Sequence, residues 1–288
     1  MLAMLHNVSF EQIMDMDLSK VKLVVTDMDG TLLNSKGQVS SKFLCLFEQL
    51  KNLDLTFVAA SGRQYHSIVD KLHMIKDDIV IIAENGGVTK KQESTLQHNY
   101  FPKEDVFNLI KLLRNVENIY PVICGENKAY IETKDQKFIN LLNEYYSAYE
   151  LVDDLTAVEN DNFFKIAIYH FDSSEAYIYP HVKHLNGNIQ VKISGKHWVD
   201  LSHINTHKGF ALKKLQEQLQ VSDAETMVFG DYNNDLEMLE LAHFSYAMEN
   251  AHPNVKAVAK YKTKSNDEEG VEYILEQLIN EKSISKSR

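Results

Sequence analysis

The sequence predicts an α/β protein: a doubly wound parallel sheet with a second α/β domain inserted into it. Short apolar runs rich in β-branched residues recur along the chain. Each is too short for a helix and stops at Gly or polar residues, as strands buried on both faces do. Segments of helical apolar spacing alternate with these runs, which makes parallel pairing the economical topology. The texture then changes: nine of the 14 tyrosines and three of the four prolines lie between Gly87 and Asp200, marking that stretch as a separate unit. The expected division is a core of residues 1–86 and 201–288 around an inserted α/β domain of residues 87–200.

Each element follows from a local pattern. Residues up to about Ser19 mix apolar and polar positions and read as an extension with one or two helical turns. Val21 to Thr26 is the first buried strand, with Asp27-Met28-Asp29-Gly30-Thr31-Leu32 at its carboxyl end. Ser40 or Ser41 can cap a helix whose apolar positions are Phe43, Leu44, Phe47 and Leu50. Leu55 to Ala60 is the second strand, ending at Ser61-Gly62-Arg63. A helix with Ile68, Val69 and Leu72 leads to the third strand, Ile79 to Ala83, which ends at Glu84-Asn85-Gly86-Gly87.

Inside the insert, strands are expected at 87–100, 120–124, 129–132, 164–169 and 189–193, and helices at 106–113 and 138–146. Their polar alternation predicts a sheet with one face covered by helices and the other exposed. The core resumes with a helix capped by Thr206, with Lys208 in its first turn and Phe210, Ala211, Leu215 and Leu219 along it. Thr226 to Phe229 is a strand ending at Gly230-Asp231-Tyr232-Asn233-Asn234-Asp235, followed by a helix with Leu236, Leu239 and Leu241. Phe244 to Met248 is a further strand. Asn266 or Asp267 opens the last helix, and the polar tail from Lys282 is expected to fray.

Composition narrows the function. Hydrophobic residues make up 44% of the 288 and charged ones 25%, enough for a sizeable core. No apolar run approaches bilayer length, and no basic segment followed by an apolar one stands at the N-terminus, so a cytoplasmic protein without membrane contact is expected. A formal charge of -11 argues against a general nucleic-acid binder, which needs a basic footprint. An anionic substrate stays admissible if a metal and a few basic side chains reverse the local sign. Cys45 and Cys124 fall in an apparent helix and an apparent strand and read as reduced core thiols. Oligomeric state leaves no mark on the sequence.

The strand-end rule gathers the polar motifs at one edge of the first sheet. Asp27 and Asp29 offer a nucleophile and an acid/base, and two anions so close repel unless a cation lies between them. Ser61 and the Gly62 amide offer neutral donors, Lys208 a positive charge at a helix start, and Asp231 and Asp235 further carboxylates. Oxygen ligands without His or Cys suit a hard cation, Mg²⁺ foremost. Carboxylates, a hard cation and a lysine together fit a phosphoryl group: one carboxylate attacks phosphorus, and Asp29 protonates the departing oxygen and then deprotonates water.

These four segments, in this order, resemble the motifs of the haloacid dehalogenase superfamily. Glu84-Asn85-Gly86-Gly87 before the insert and Asn266 to Val271 near the end make the resemblance closest to the Cof-type phosphatases with a type IIB cap. It implies a Rossmann-like core, a mobile α/β cap and Mg²⁺-dependent phosphomonoester hydrolysis. By the same resemblance Asp27 would be nucleophile and metal ligand, Asp29 the acid/base and a ligand through its main-chain carbonyl, and Asp231 the third protein ligand. Asp235 would stand behind these ligands or reach the metal through water. The Met28 amide, Ser61, Gly62, Lys208 and Asn234 would hold phosphate, and Thr31 would fix the loop bearing Asp29. Arg63 and Asn85 either meet the cap or substrate or hold their own turns.

The other features weigh less. His203 and His207 have a metal-compatible spacing, but Asn205 and Thr206 place them on a loop entering a helix. Tyrosines of the insert read as core more readily than as a stacking surface. The expected function is therefore hydrolysis of small phosphorylated metabolites, sugar phosphates first. A phosphomutase and a non-catalytic phosphometabolite-binding module are the alternatives. Retention of both Asp27 and Asp29 speaks against the binder, and the presence of Asp29 against a dehalogenase.

Overall fold

The structure, a computed structural model, describes residues 17–146 and 148–286. The extension expected before Ser19 falls almost wholly on residues 1–16, outside the described residues. Leu18–Lys20 form one 3-10 turn with Leu18 buried.

The strands in chain order are β1 (Leu23–Asp27), β2 (Thr56–Ala60), β3 (Val80–Ala83), β4 (Val88–Lys91), β5 (Ser94–His98), β6 (Tyr120–Gly125) and β7 (Ala129–Ile131). They continue with β8 (Tyr149–Leu151), β9 (Phe163–Tyr169), β10 (Gln190–Gly195), β11 (Trp198–Ser202), β12 (Thr226–Gly230), β13 (Phe244–Ala247) and β14 (Tyr261–Lys262). Two sheets result, ordered β14-β13-β12-β1-β2-β3-β4-β5 and β10-β11-β9-β6-β7-β8. In the first, every pairing from β14 to β3 is parallel, as expected of a doubly wound core. β1 pairs with β2 on one side and β12 on the other, so the strand order reverses at it. A crevice opens at that reversal, beyond the carboxyl end of β1, where Asp27 stands level with Ala60 of β2.

Helices Ser41–Leu50, Tyr65–Lys71, Lys208–Leu219 and Gly270–Lys286 flank this sheet. Ser40 caps the first, accepting from the Phe43 amide at 2.9 Å while its hydroxyl donates to Glu272 in the last helix at 2.7 Å. Phe43, Phe47 and Phe57 meet beneath it with ring centroids 5.4–6.0 Å apart.

Several elements depart from expectation, each for a local reason. The hairpin β4–β5, expected as the insert's first strand, hydrogen-bonds antiparallel to β3 and so extends the first sheet. Asn85, at φ 53° and ψ 33°, reverses the chain onto β3 at that point. At the far side of the insert, β11 continues to Ser202. The second sheet is packed on both faces rather than one. Ile166 and Ile168 of β9 join Val106 and Ile110 of helix Lys103–Leu113, while Ala167 and Tyr169 join Phe138 and Leu142 of helix Gln136–Leu142. The helix bearing Lys208 is capped by His207, whose Nδ1 accepts from Phe210, and not by Thr206. The last helix starts at Gly270 because Glu269 is left-handed at φ 58°, and it runs through the tail expected to fray, to Lys286. Cys124 is buried, but Cys45 is exposed on the outer face of its helix. Among the described residues, no helix is long and apolar enough to cross a membrane.

Phe57 is 3% exposed and touches two other rings, so Phe57→Ala should destabilise the fold by about 3–5 kcal/mol. Urea titration checks this; a loss below ~1 kcal/mol would mean that the site closes over the cavity.

Candidate active site

Asp27 ends β1 at 6% exposure, and Lys208 starts its helix with no exposed surface at all. The lysine ammonium donates to Asp27 Oδ1 at 2.5 Å and to Asp235 Oδ1 at 2.7 Å. The other oxygen of Asp235 accepts the Asp231 and Tyr232 amides at 2.9 and 3.1 Å, which folds the loop after β12 around it. Asp231 points back toward β1, where Thr31 Oγ1 donates to its Oδ1 at 3.0 Å. Thr31 thus secures Asp231 as well as its own loop. Gly30, at φ 82°, is needed twice over: that conformation is unfavourable with a Cβ, and a Cβ there would collide with the Asp231 carboxylate.

Asp29 is arranged differently. Its side chain is 47% exposed and receives Arg63 at both oxygens, Nε to Oδ2 at 2.7 Å and Nη2 to Oδ1 at 2.8 Å. Arg63 also donates Nη1 to the Glu144 carbonyl at 2.7 Å and lies 5.0 Å from the centroid of the Tyr145 ring. Arg63 thus meets the insert while its backbone also bonds Ser61 and Glu84 around its own turn. Asn85 likewise does more than hold its turn: Oδ1 accepts from Asn234 at 3.0 Å, and Nδ2 donates to Asp200 of β11. Ser61 is buried and its Oγ accepts the Arg63 amide at 3.1 Å. Met28 has a fully buried side chain, and its carbonyl accepts the Thr31 and Leu33 amides.

Part of this set lines a cavity of about 310 Å³ between the sheets, with Lys208 and Asp235 buried behind its wall. Asp27, Asp29, Ser61, Gly62, Arg63, Asp231 and Asn234 form its core side; Tyr145, Tyr146, Lys165, Lys196, His197, Trp198 and Asp200 are among its insert side. Sequence reasoning missed that second wall. Tyr145 is among the tyrosines that the sequence assigns to core, whereas Lys165 inside the apolar run Phe163 to Tyr169 is a legible anomaly. His203 and His207 each use Nδ1 to accept a nearby amide, from Asn205 and Phe210, in the loop and at the helix start.

Burial dominates the electrostatics. It pushes Asp27 up to about 7 despite the Lys208 ammonium beside it, with Asp235 adding repulsion. Asp231 is pushed well up by burial and by Asp27 and Asp235. Lys208 is held above its usual range: burial opposes its charge, but Asp235 and Asp27 outweigh that.

The same carboxylates form a donor set for a metal. Carboxylate oxygens of Asp27, Asp231 and Asp235 lie within 4.8 Å of one another, against the single ammonium of Lys208. Both Asp235 oxygens are taken by protein donors, so Asp27 and Asp231 are the side chains left to ligate. All-oxygen donors with unbalanced negative charge fit a hard divalent cation.

Comparison with known proteins places the chain in a family. The family model described as haloacid dehalogenase-like hydrolase matches residues 24–275. An Escherichia coli protein named 5-amino-6-(5-phospho-D-ribitylamino)uracil phosphatase YbjI is 32% identical over 262 residues, covering 90% of this chain and 96% of its own. A Bacillus subtilis protein named for the same activity, YwtE, is 26% identical, with 90% and 98% covered. The crystal structure of SMU.1108c from Streptococcus mutans superposes with a TM-score of 0.85 at 30% identity, over 90% of this chain and 99% of that one.

Ionising Asp27 in the fold is unfavourable, so metal-free protein should lose stability as pH rises from about 4 toward about 7, where the folded state holds protons that the unfolded state releases. Glu84, also pushed up to about 7 by burial, acts in the same direction. Melting in chelator at about pH 5 and about pH 7.5 should show the higher-pH sample melting lower, with Mg²⁺ restoring it and Asp27→Asn reducing the difference. Equal melting temperatures at the two pH values would contradict the assignment.

Proposed function

The chain belongs to the haloacid dehalogenase-like hydrolases, and from that premise we propose a Mg²⁺-dependent phosphatase of small phosphorylated metabolites, sugar phosphates first, working through an aspartyl-phosphate on Asp27. The observation that carries this reading is the convergence of Asp27, Lys208, Asp231 and Asp235 from three separate segments on one cluster, with Asp27 and Asp231 at the cavity wall.

The cation, when bound, would be held by the Asp27 and Asp231 carboxylates and the Asp29 main-chain carbonyl, and would neutralise phosphoryl oxygens. Ser61, Asn234, Lys208 and the amides of Met28 and Gly62 orient the phosphoryl group. An Asp27 oxygen attacks phosphorus as the ester P–O bond breaks, and Asp29 gives its proton to the departing oxygen. In the second step Asp29 takes a proton from water as that water attacks phosphorus, and the bond to Asp27 breaks. Asp29 serves only once the Arg63 fork lets go, since both its oxygens accept from the guanidinium. The same guanidinium grips the Glu144 carbonyl, so movement of the insert, the proposed cap, and release of the acid/base are linked. Closure of that cap excludes water from the first step.

A second substrate reading rests on the insert wall. Tyr145 and Trp198, edge to face with centroids 5.4 Å apart, offer apolar and aromatic surface beside the polar site. That surface suits a substrate whose leaving group carries a planar ring, such as the phosphoribitylaminouracil for which two relatives are named.

A phosphate-release screen over phosphorylated sugars, nucleotides and the ribitylaminouracil ester decides among these. Activity on several sugar monophosphates, lost with chelator, is expected; a single strong ring-bearing substrate would favour the second reading. Phosphate return to substrate, dependent on a bisphosphate activator, would indicate a mutase, and tight binding without turnover a regulatory module. Asp27→Asn should lose at least ~10³-fold in kcat, and full turnover by that variant would remove Asp27 from its role.

A further inference from the structure

Lys165 takes no part in the chemistry above, yet it is a lysine only 3% exposed in a strand that is otherwise apolar. Burying an unpaired ammonium costs several kcal/mol, so its partners identify its task. Nζ donates to Asp200 Oδ2 at 3.0 Å and to the Gly62 carbonyl at 2.6 Å, and lies 3.2 Å from Glu84 Oε2. Asp200 and Glu84 supply the counter-charge. The Gly62 carbonyl is the informative partner, because it is neutral and lies across the cavity on the loop after β2.

That carbonyl and the Arg63 amide belong to one peptide unit. Its oxygen is held by Lys165 and its N–H by Ser61 Oγ. A cation on the oxygen polarises the unit and strengthens the bond its N–H makes. Because Ser61 Oγ accepts there, its own proton is left to give elsewhere, and Ser61 lines the cavity. We infer that Lys165 is a positioning residue: from the insert, it fixes the Gly62–Arg63 peptide so that the Ser61 hydroxyl donates to the phosphoryl group. The inference rests on the reading of Ser61 as a phosphate contact. A parallel connection runs from the same ion pair, since Asp200 also accepts from Asn85, and Asn85 accepts from Asn234 at 3.0 Å.

The test is a double-mutant cycle on Lys165→Met and Ser61→Ala, with p-nitrophenyl phosphate as substrate and inorganic phosphate as inhibitor. Lys165→Met should lower kcat/KM by about ten-fold or more and weaken phosphate inhibition in step, the scale of a lost hydrogen bond to a charged group. In the Ser61→Ala background the same change should cost at least about three-fold less than in the wild type, because the larger share of its effect passes through that hydroxyl and only the remainder through Asp200 and Asn85 to Asn234. Lys165→Arg should retain most of the activity. If Lys165→Met alone does not fold, Lys165→Met with Glu84→Gln removes the cation with one of its acids and carries the same comparison. Independent, multiplying losses, or a fully active Lys165→Met, overturn the inference while leaving the phosphatase standing. A wild-type protein that releases no phosphate from any ester overturns both.

Discussion

Lys208 brings a fully buried ammonium between Asp27 and Asp235, and without it two carboxylates would face each other across a space closed to solvent. Removing one partner from such a buried arrangement costs on the order of 3–5 kcal/mol, so the geometry around it is strongly enforced. Its helix must approach closely for the ammonium to arrive, and Gly209 permits that: a Cβ there would strike the backbone of Glu237. Asp235, once paired, gathers the amides of Asp231 and Tyr232 and so aims the Asp231 carboxylate at β1. One ion pair therefore organises residues more than two hundred positions apart.

The insert joins this site through both buried and exposed contacts. Its entry and exit are held side by side, Asn99 bonding the Gly87 carbonyl through its amide and the Asn205 carbonyl through its side chain. From that narrow connection it reaches the core again beside the cavity, through Asp200 to Asn85 and Lys192 to Glu237 as well as through contacts of two further cations. Arg63 meets it on the exposed side, and Lys165 meets the core on the buried side. The two contacts differ in kind: the first can exchange with water, whereas the second leaves Glu84 and Asp200 in an apolar setting if it breaks.

Much of the core site was legible because strand ends in a parallel sheet share one edge. Asp27, Ser61, Lys208 and Asp231 each followed a short apolar run or opened a helix, and the sheet order brings those points together. What pairing of strands decides was less legible. Nothing in Val88 to His98 separates a hairpin on β3 from the start of a new sheet, and the left-handed Asn85 that settles it belongs to a residue type at home in any turn. The His207 cap was displaced by one position because His can accept as Thr does. The insert's wall was hidden for another reason. Tyr145 lines the cavity and Tyr130 is core, and only the fold distinguishes identical side chains in similar contexts.

The last helix comes back to where the described chain begins. Leu18 donates its amide to Glu281 at 2.9 Å, and Lys282 reaches the Ser19 carbonyl at 2.8 Å. That junction lies at the amino end of β1, whereas the crevice lies at its carboxyl end. The first and last described elements thus brace each other on the side away from the chemistry. A group attached at Ser19 or Lys282 stands the length of β1 away from the crevice and leaves the substrate's approach unobstructed.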